Sequence, residues 1–157
     1  MSAGEWVLLA YRLPREPSTP RISLWRALRR LGAAQVLDGL VALPADSRTR
    51  EQLDWLADAV IEAGGQATVW LARPTSGAQA REIAAGMRAA VGAEYVRLAG
   101  DAKRATLSPV GTRKRTLGRL RRELRRIRRR DYFSAPEGAQ ARAAVEALAE
   151  SLEEVAA

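Results

Sequence analysis

QVLDGLVAL, residues 35–43, lies between two helical patterns, and its reading decides the fold. Gln35-Val36-Leu37 and Leu40-Val41-Ala42-Leu43 are β-rich runs flanking Asp38-Gly39, a dipeptide suited to a type I′ turn because both central residues take positive φ. A hairpin is expected, with one strand bent at Gly39 as the alternative. On the N-terminal side, Ile22, Trp25, Leu28 and Leu31 recur at helical spacing with Arg26, Arg29 and Arg30 opposite, until Gly32 stops the helix. Ser18 or Thr19 is the expected cap, with Pro20 at the first helical position, where its missing N–H costs nothing. Further back, EWVLLAYRL (5–13) reads as a strand closed by Pro14. On the C-terminal side, Asp46 or Ser47 opens a helix whose apolar stripe is Leu53, Leu56, Val60 and Ile61, helped by Trp55, and Gly64-Gly65 ends it. QATVWLA (66–72) is the last strand, cut off by Pro74. The order β-α-β-β-α-β predicts an α+β, ferredoxin-like sandwich over residues 1–75, with an antiparallel sheet and both helices on one face. Trp6, Trp25 and Trp70 are expected in the sheet–helix core, against the alternative of a base-stacking platform.

The chain has 157 residues, no cysteine and no histidine, and carries 26 Lys+Arg against 18 Asp+Glu. Without cysteine there is no disulfide framework or thiol nucleophile; without histidine the usual general base and every imidazole–metal site are absent. The expectation is a protein that is not an enzyme, has no cofactor and no metal site, and works in the cytoplasm. The N-terminus has no basic segment of a secretory signal, and no apolar run approaches the ~20 residues of a membrane span.

Beyond residue 75 the pattern becomes helical. Ile83, Met87, Val91 and Tyr95 predict a helix over 78–98, and Gly100, Pro109 and Gly111 a linker over 99–111. An Arg-rich helix over 112–130 carries Leu117, Leu120, Leu124 and Ile127 at a/d spacing, and an acidic helix over 137–156 carries Val145, Leu148, Leu152 and Val155 at the same spacing. Two such seams joined by Ser134-Ala135-Pro136 predict an antiparallel helical hairpin within a 76–157 extension.

Charge is concentrated in this part. Residues 112–130 hold 11 basic groups against Glu123 alone, residues 131–157 have a net charge of −5, and residues 1–111 one of +3. Only Lys103 and Lys114 are lysines; the other 24 basic residues are arginine. One reading makes Arg113, Lys114, Arg115, Arg119, Arg122, Arg126 and Arg129 a stripe of phosphate contacts on duplex nucleic acid. The other pairs them with Glu146, Glu150, Glu153 and Glu154 across the hairpin. Six acids cannot neutralise eleven bases, so a cationic surplus remains in either case. The leucine seam is too narrow and too poor in aromatics for a membrane-surface helix.

WVLLAYRLPREPSTPR (6–21), LWRALRRLGAAQVLDGLVALPADSRTREQLDWLADAVIEAGGQATVWLAR (24–73) and LRRIRRRDYFSAPEGAQA (124–141) resemble the N-terminal domain of the ChrB family of chromate-resistance regulators. The resemblance implies a bacterial, cytoplasmic, DNA-binding transcriptional regulator of a chromate-efflux operon, released from its operator by chromate. A homodimer is expected besides, with the ferredoxin-like half as its candidate interface. The family's full regulator continues into a second domain. A more distant likeness joins the strand, Tyr11, the first helix and Gln35-Val36 to CRISPR-associated ferredoxin-like nucleases and to the central domain of PaaX-type repressors. In those nucleases an aspartate that helps hold the metal follows the tyrosine; here Arg12 follows Tyr11, and a guanidinium repels a divalent cation. A Mg²⁺-dependent nuclease using Asp38 and Asp46 is the enzymatic alternative, and a helical adaptor that binds no nucleic acid is the structural one. Arg12, Arg15, Thr19 and Arg21 cluster around one loop and one helix start, a set suited to a DNA phosphate or to a small oxyanion effector such as chromate.

Overall fold

The computed structural model of the chain describes residues 4–157. Nine elements follow in order: β1 (Trp6–Arg12), α1 (Thr19–Leu31), β2 (Ala34–Leu37), β3 (Leu40–Pro44), α2 (Ser47–Glu62), β4 (Gln66–Ala72), α3 (Gly77–Ala105), α4 (Val110–Arg129) and α5 (Glu137–Ala156). The four strands form one antiparallel sheet in the order β2-β3-β1-β4, as expected of the ferredoxin-like sandwich. The chain divides after Met87, inside α3 and beyond the boundary expected at residue 75, into two compact units.

In the first unit the register places Leu9 opposite Val41 on one side and Val69 on the other. Val7, Leu9, Val41 and Leu43 are fully buried on that face, with Leu24 and Leu28 of α1 and Leu53, Ala57 and Val60 of α2. Each large aliphatic side chain so buried is worth about 1.5–3 kcal/mol. The QVLDGLVAL hairpin is present. Only Gly39 has positive φ (75°), so the turn is not the type I′ expected; an irregularity between Gln35 and Leu37 accompanies it. Gly39 is required there, because a Cβ would lie 2.5 Å from the Tyr11 carbonyl oxygen, while Tyr11 N–H donates to the Gly39 carbonyl at 2.8 Å.

Several local expectations shift. Thr19 is the first residue of α1 and Ser18 its N-cap, and neither hydroxyl caps the helix. Asp46 caps α2 through a capping box, accepting from Thr49 N–H at 2.8 Å while Thr49 Oγ1 accepts from Asp46 N–H at 3.0 Å. Of the three tryptophans expected inside, Trp6 is 5% exposed, but Trp25 and Trp70 are each 57% exposed; Trp55 and Ile61 of α2 also face out. The inward stripe of α1 is Leu24 and Leu28, which turns Ile22 and Trp25 toward solvent.

The second unit is built from the later part of α3 with α4 and α5. Tyr95, Leu98, Ala102 and Ala105 of α3 form one buried cluster with Leu117, Leu120 and Ile127 of α4 and Ala141, Ala144, Val145 and Leu148 of α5. The expected linker 99–111 is therefore mostly helix. Gly100 does not break it, since it stands between turns whose apolar stripe has a partner to bury against. The break falls at residues 106–109, where Pro109 caps α4. The two seams do pack antiparallel, with Arg113 near the start of α4 against Ser151 near the end of α5, except that Val155, in the last turn of α5, is exposed; α3 makes the assembly a three-helix one.

Candidate nucleic-acid interface

At 100° per residue, the seam of α4 lies on one side and Arg115, Arg119, Arg122, Arg126 and Arg129 fall directly opposite. Lys114, Arg121, Arg125 and Arg128 form a second row flanking the first. All nine of these side chains are exposed. Arg121, Arg125 and Arg128 were not among the seven residues expected to bind, although their i, i+4, i+7 spacing was there to be read.

The expected seven do not behave alike. Arg113 points back into the bundle, where its Nη1 donates to the Ser151 carbonyl at 3.2 Å and to Ser151 Oγ at 3.4 Å; its buried Nε has no hydrogen-bond partner among the described residues. Arg119 is held by Glu123 at 3.2 Å and by Asp101 of α3 at 3.9 Å. Arg115 donates to Thr112 Oγ1 at 3.3 Å, and Arg129 also interacts within the molecule. Among the described residues, Lys114, Arg122 and Arg126 have no carboxylate at ion-pair distance.

Cross-hairpin pairing is overturned by the geometry. Glu146, Glu150, Glu153 and Glu154 are exposed on α5 and make no ion pair with α4 among the described residues. The buried seam holds the two helices together, and it turns both charged faces to water, away from each other. The inter-helix ion pairs run to α3 instead: Arg119 with Asp101, and Arg130 with Glu94, the latter partly buried, with Arg130 Nη2 at 2.7 Å and Nε at 3.0 Å both donating to Glu94 Oε2.

Electrostatics within α4 are unfavourable taken alone. Its first turn has no acid and no side-chain cap, and it carries Arg113 beside the positive end of the helix dipole. Like charges at i,i+4 along the arginine rows cost about 0.2–0.5 kcal/mol a pair. Only the last turn, with Arg126, Arg128 and Arg129, has the favourable sign.

The second candidate group is divided by the fold. Arg12 at the end of β1 and Arg21 in the first turns of α1 line one open cavity; Arg15 and Thr19 are exposed and are not among its lining residues. Of the two nuclease carboxylates, Asp46 is engaged by its capping box, and Asp38 lies on the hairpin turn and lines the same cavity as Arg12.

Residues 21–108 match the family described as "Protein ChrB, N-terminal". The chain belongs to the ChrB N-terminal family. Protein ChrB from Cupriavidus metallidurans (strain CH34) is 40% identical over 67 residues, which are 42% of this chain and 20% of that protein. The shared segment is thus a fifth of the length of that ChrB. No solved structure matches the chain. The ChrB match begins at Arg21 and ends at Ser108, so the YRLPREPSTP loop and the whole of α4 lie outside it. Among the described residues no helix is long and apolar enough to cross a membrane.

Proposed function

We propose that the chain is a cytoplasmic DNA-binding regulator, or the DNA-binding part of one, in chromate resistance, and that α4 holds duplex phosphates. The observation that carries this reading is the two rows of exposed cations on α4, several without an acidic partner among the described residues. The net charge of +10 over residues 112–130 amounts to one net positive charge per about 2.9 Å of helix, at about 1.5 Å rise per residue. Duplex DNA presents one anion per about 1.7 Å of axis, a comparable density of opposite sign. Phosphate would also relieve the repulsion along the rows. The family supplies the chromate connection. Guanidinium–phosphate contacts orient a protein on a duplex without reading bases, so sequence preference has to come from other groups. The exposed rows favour this reading over an adaptor that binds no nucleic acid, and Arg12 after Tyr11, where a divalent cation would need a carboxylate, disfavours the nuclease. A homodimer, which would bring two such helices to one operator, is part of the proposal, and sedimentation velocity tests it.

The test is anisotropy of a labelled 30-base-pair duplex at several salt concentrations. The logarithm of affinity should fall steeply and linearly with the logarithm of salt, and Arg122→Gln with Arg126→Gln should reduce that slope by about 1.8, two phosphates at about 0.9 each. Unchanged affinity and slope in the double variant would remove α4 from the interface. Added chromate should weaken the complex; no effect would place chromate response outside this chain.

A further inference from the structure

The cavity beside the DG hairpin has a volume of about 890 Å³ and is lined by Tyr11, Arg12, Arg21, Ile22, Trp25 and Asp38, among others. It lies within the first unit and shares no residue with α4. Its walls are positioned by the fold: the Tyr11–Gly39 hydrogen bond pins the hairpin to the end of β1, and buried Leu24 and Leu28 fix the rotation of α1 that turns Ile22 and Trp25 outward. Large apolar side chains are thus left against solvent beside two guanidiniums. Among the described residues neither Arg12 nor Arg21 has an acidic partner, although Asp38 lines the same space. The Trp25 indole, 57% exposed, already has the Arg29 guanidinium 4.9 Å from its ring centroid.

The site is open to solvent, so the chemistry of its walls decides what it takes. A tetrahedral oxyanion occupies the space of only a few waters, at about 30 Å³ each, and two arginines would hold it without any need for an indole or a phenol. Cavities of about 300–1,000 Å³ with apolar walls and a few polar groups suit organic ligands instead. Aromatic walls favour a flat ring by offset or edge-to-face contact. The arginines favour an anionic group on that ring. Asp38 disfavours a second anion and accepts from an amino or hydroxyl substituent.

We infer that this cavity binds a small planar aromatic anion that carries a hydrogen-bond donor. An amino- or hydroxy-substituted aryl carboxylate and a purine mononucleotide share that chemistry. Arg12 and Arg21 hold the anionic group, Trp25 and Tyr11 face the ring, and Asp38 accepts from the donor.

Calorimetric titration of the full chain with 4-aminobenzoate, adenosine 5′-monophosphate and inorganic sulfate tests this. One or both aromatic anions should bind saturably and at least tenfold more tightly than sulfate, and whichever binds better identifies the source. Arg12→Ala and Arg21→Ala should each weaken binding at least tenfold; Trp25→Ala should weaken it and Trp25→Phe largely restore it. Arg26→Ala, on α1 outside the cavity, should leave it unchanged. Asp38→Asn should narrow the preference for 4-aminobenzoate over benzoate. The substituted side chains are exposed, and an unchanged far-ultraviolet spectrum would show each variant folded. Sulfate binding as tightly as the aromatic anions, no binding of either aromatic anion at millimolar concentration, or arginine variants that bind like the parent would each overturn the inference. None of these outcomes bears on DNA binding by α4.

Discussion

Tyr95 shows how one side chain organises the second unit. Its hydroxyl donates to Asp131 Oδ2 at 3.0 Å, and Asp131 Oδ1 accepts from Ala135 N–H at 3.0 Å, so a residue of α3 fixes the turn between α4 and α5. Burial, and then the hydrogen bond to Asp131 and its charge, push the phenol up from 10.0 to about 12. A raised phenol keeps its proton in the folded state after the unfolded chain has lost it. Its contribution to stability is therefore complete below pH 10 and falls as pH rises from 10 toward 12. Urea midpoints measured from pH 9 to 12 should decline across that window. Tyr95→Phe should flatten the decline and cost about 1 kcal/mol at neutral pH through the lost hydrogen bond. The partner of Tyr95 across thirty-six residues could not be read in advance, because nothing local in YVRL or RDYF singles out a long-range hydrogen bond. The rotation of α1 was obscure for another reason. Leu28 belongs equally to the stripe Ile22-Trp25-Leu28 and to the stripe Leu24-Leu28, and only tertiary packing chooses between them.

Elements were legible wherever punctuation and periodicity agreed. All four strands, α1, α2 and the acidic helix appear close to their expected bounds, since each has a glycine, proline or cap beside a clean apolar repeat. The extent of α3 was not legible: Gly100 reads as a breaker in isolation, yet a buried stripe running through Leu98, Ala102 and Ala105 outweighs a propensity cost of about 1 kcal/mol. The surface of α4 was half legible. Its cationic character follows from composition, but which arginines are tied inward depends on where α3 runs, and the sequence around Asp101 predicts a linker. The self-repulsion of α4 has a measurable consequence. Salt screens exposed charges over about 10 Å at 0.1 M, so the melting temperature should rise by a few degrees between 10 and 200 mM salt. Arg122→Gln with Arg126→Gln should shrink that rise. A melting temperature independent of salt would mean that the rows cost the fold nothing.

Over the whole chain, two compact units meet within one helix, and family resemblance and charge do not coincide. The segment matched by the family ends at Ser108, while the strongest charge begins just after it. A stop codon placed there is the obvious way to ask whether α4 is needed for DNA binding, but the buried stripe of α3 makes that experiment misleading. Tyr95, Leu98, Ala102 and Ala105 are covered by α4 and α5, so a fragment ending at residue 108 bares a greasy strip along its last four turns. Such a fragment should self-associate or bind a hydrophobic dye such as ANS, readable by light scattering and dye fluorescence, and its loss of DNA affinity would say nothing about arginine. For this chain, surgery on the cationic face has to be done by substitution, with the scaffold left whole.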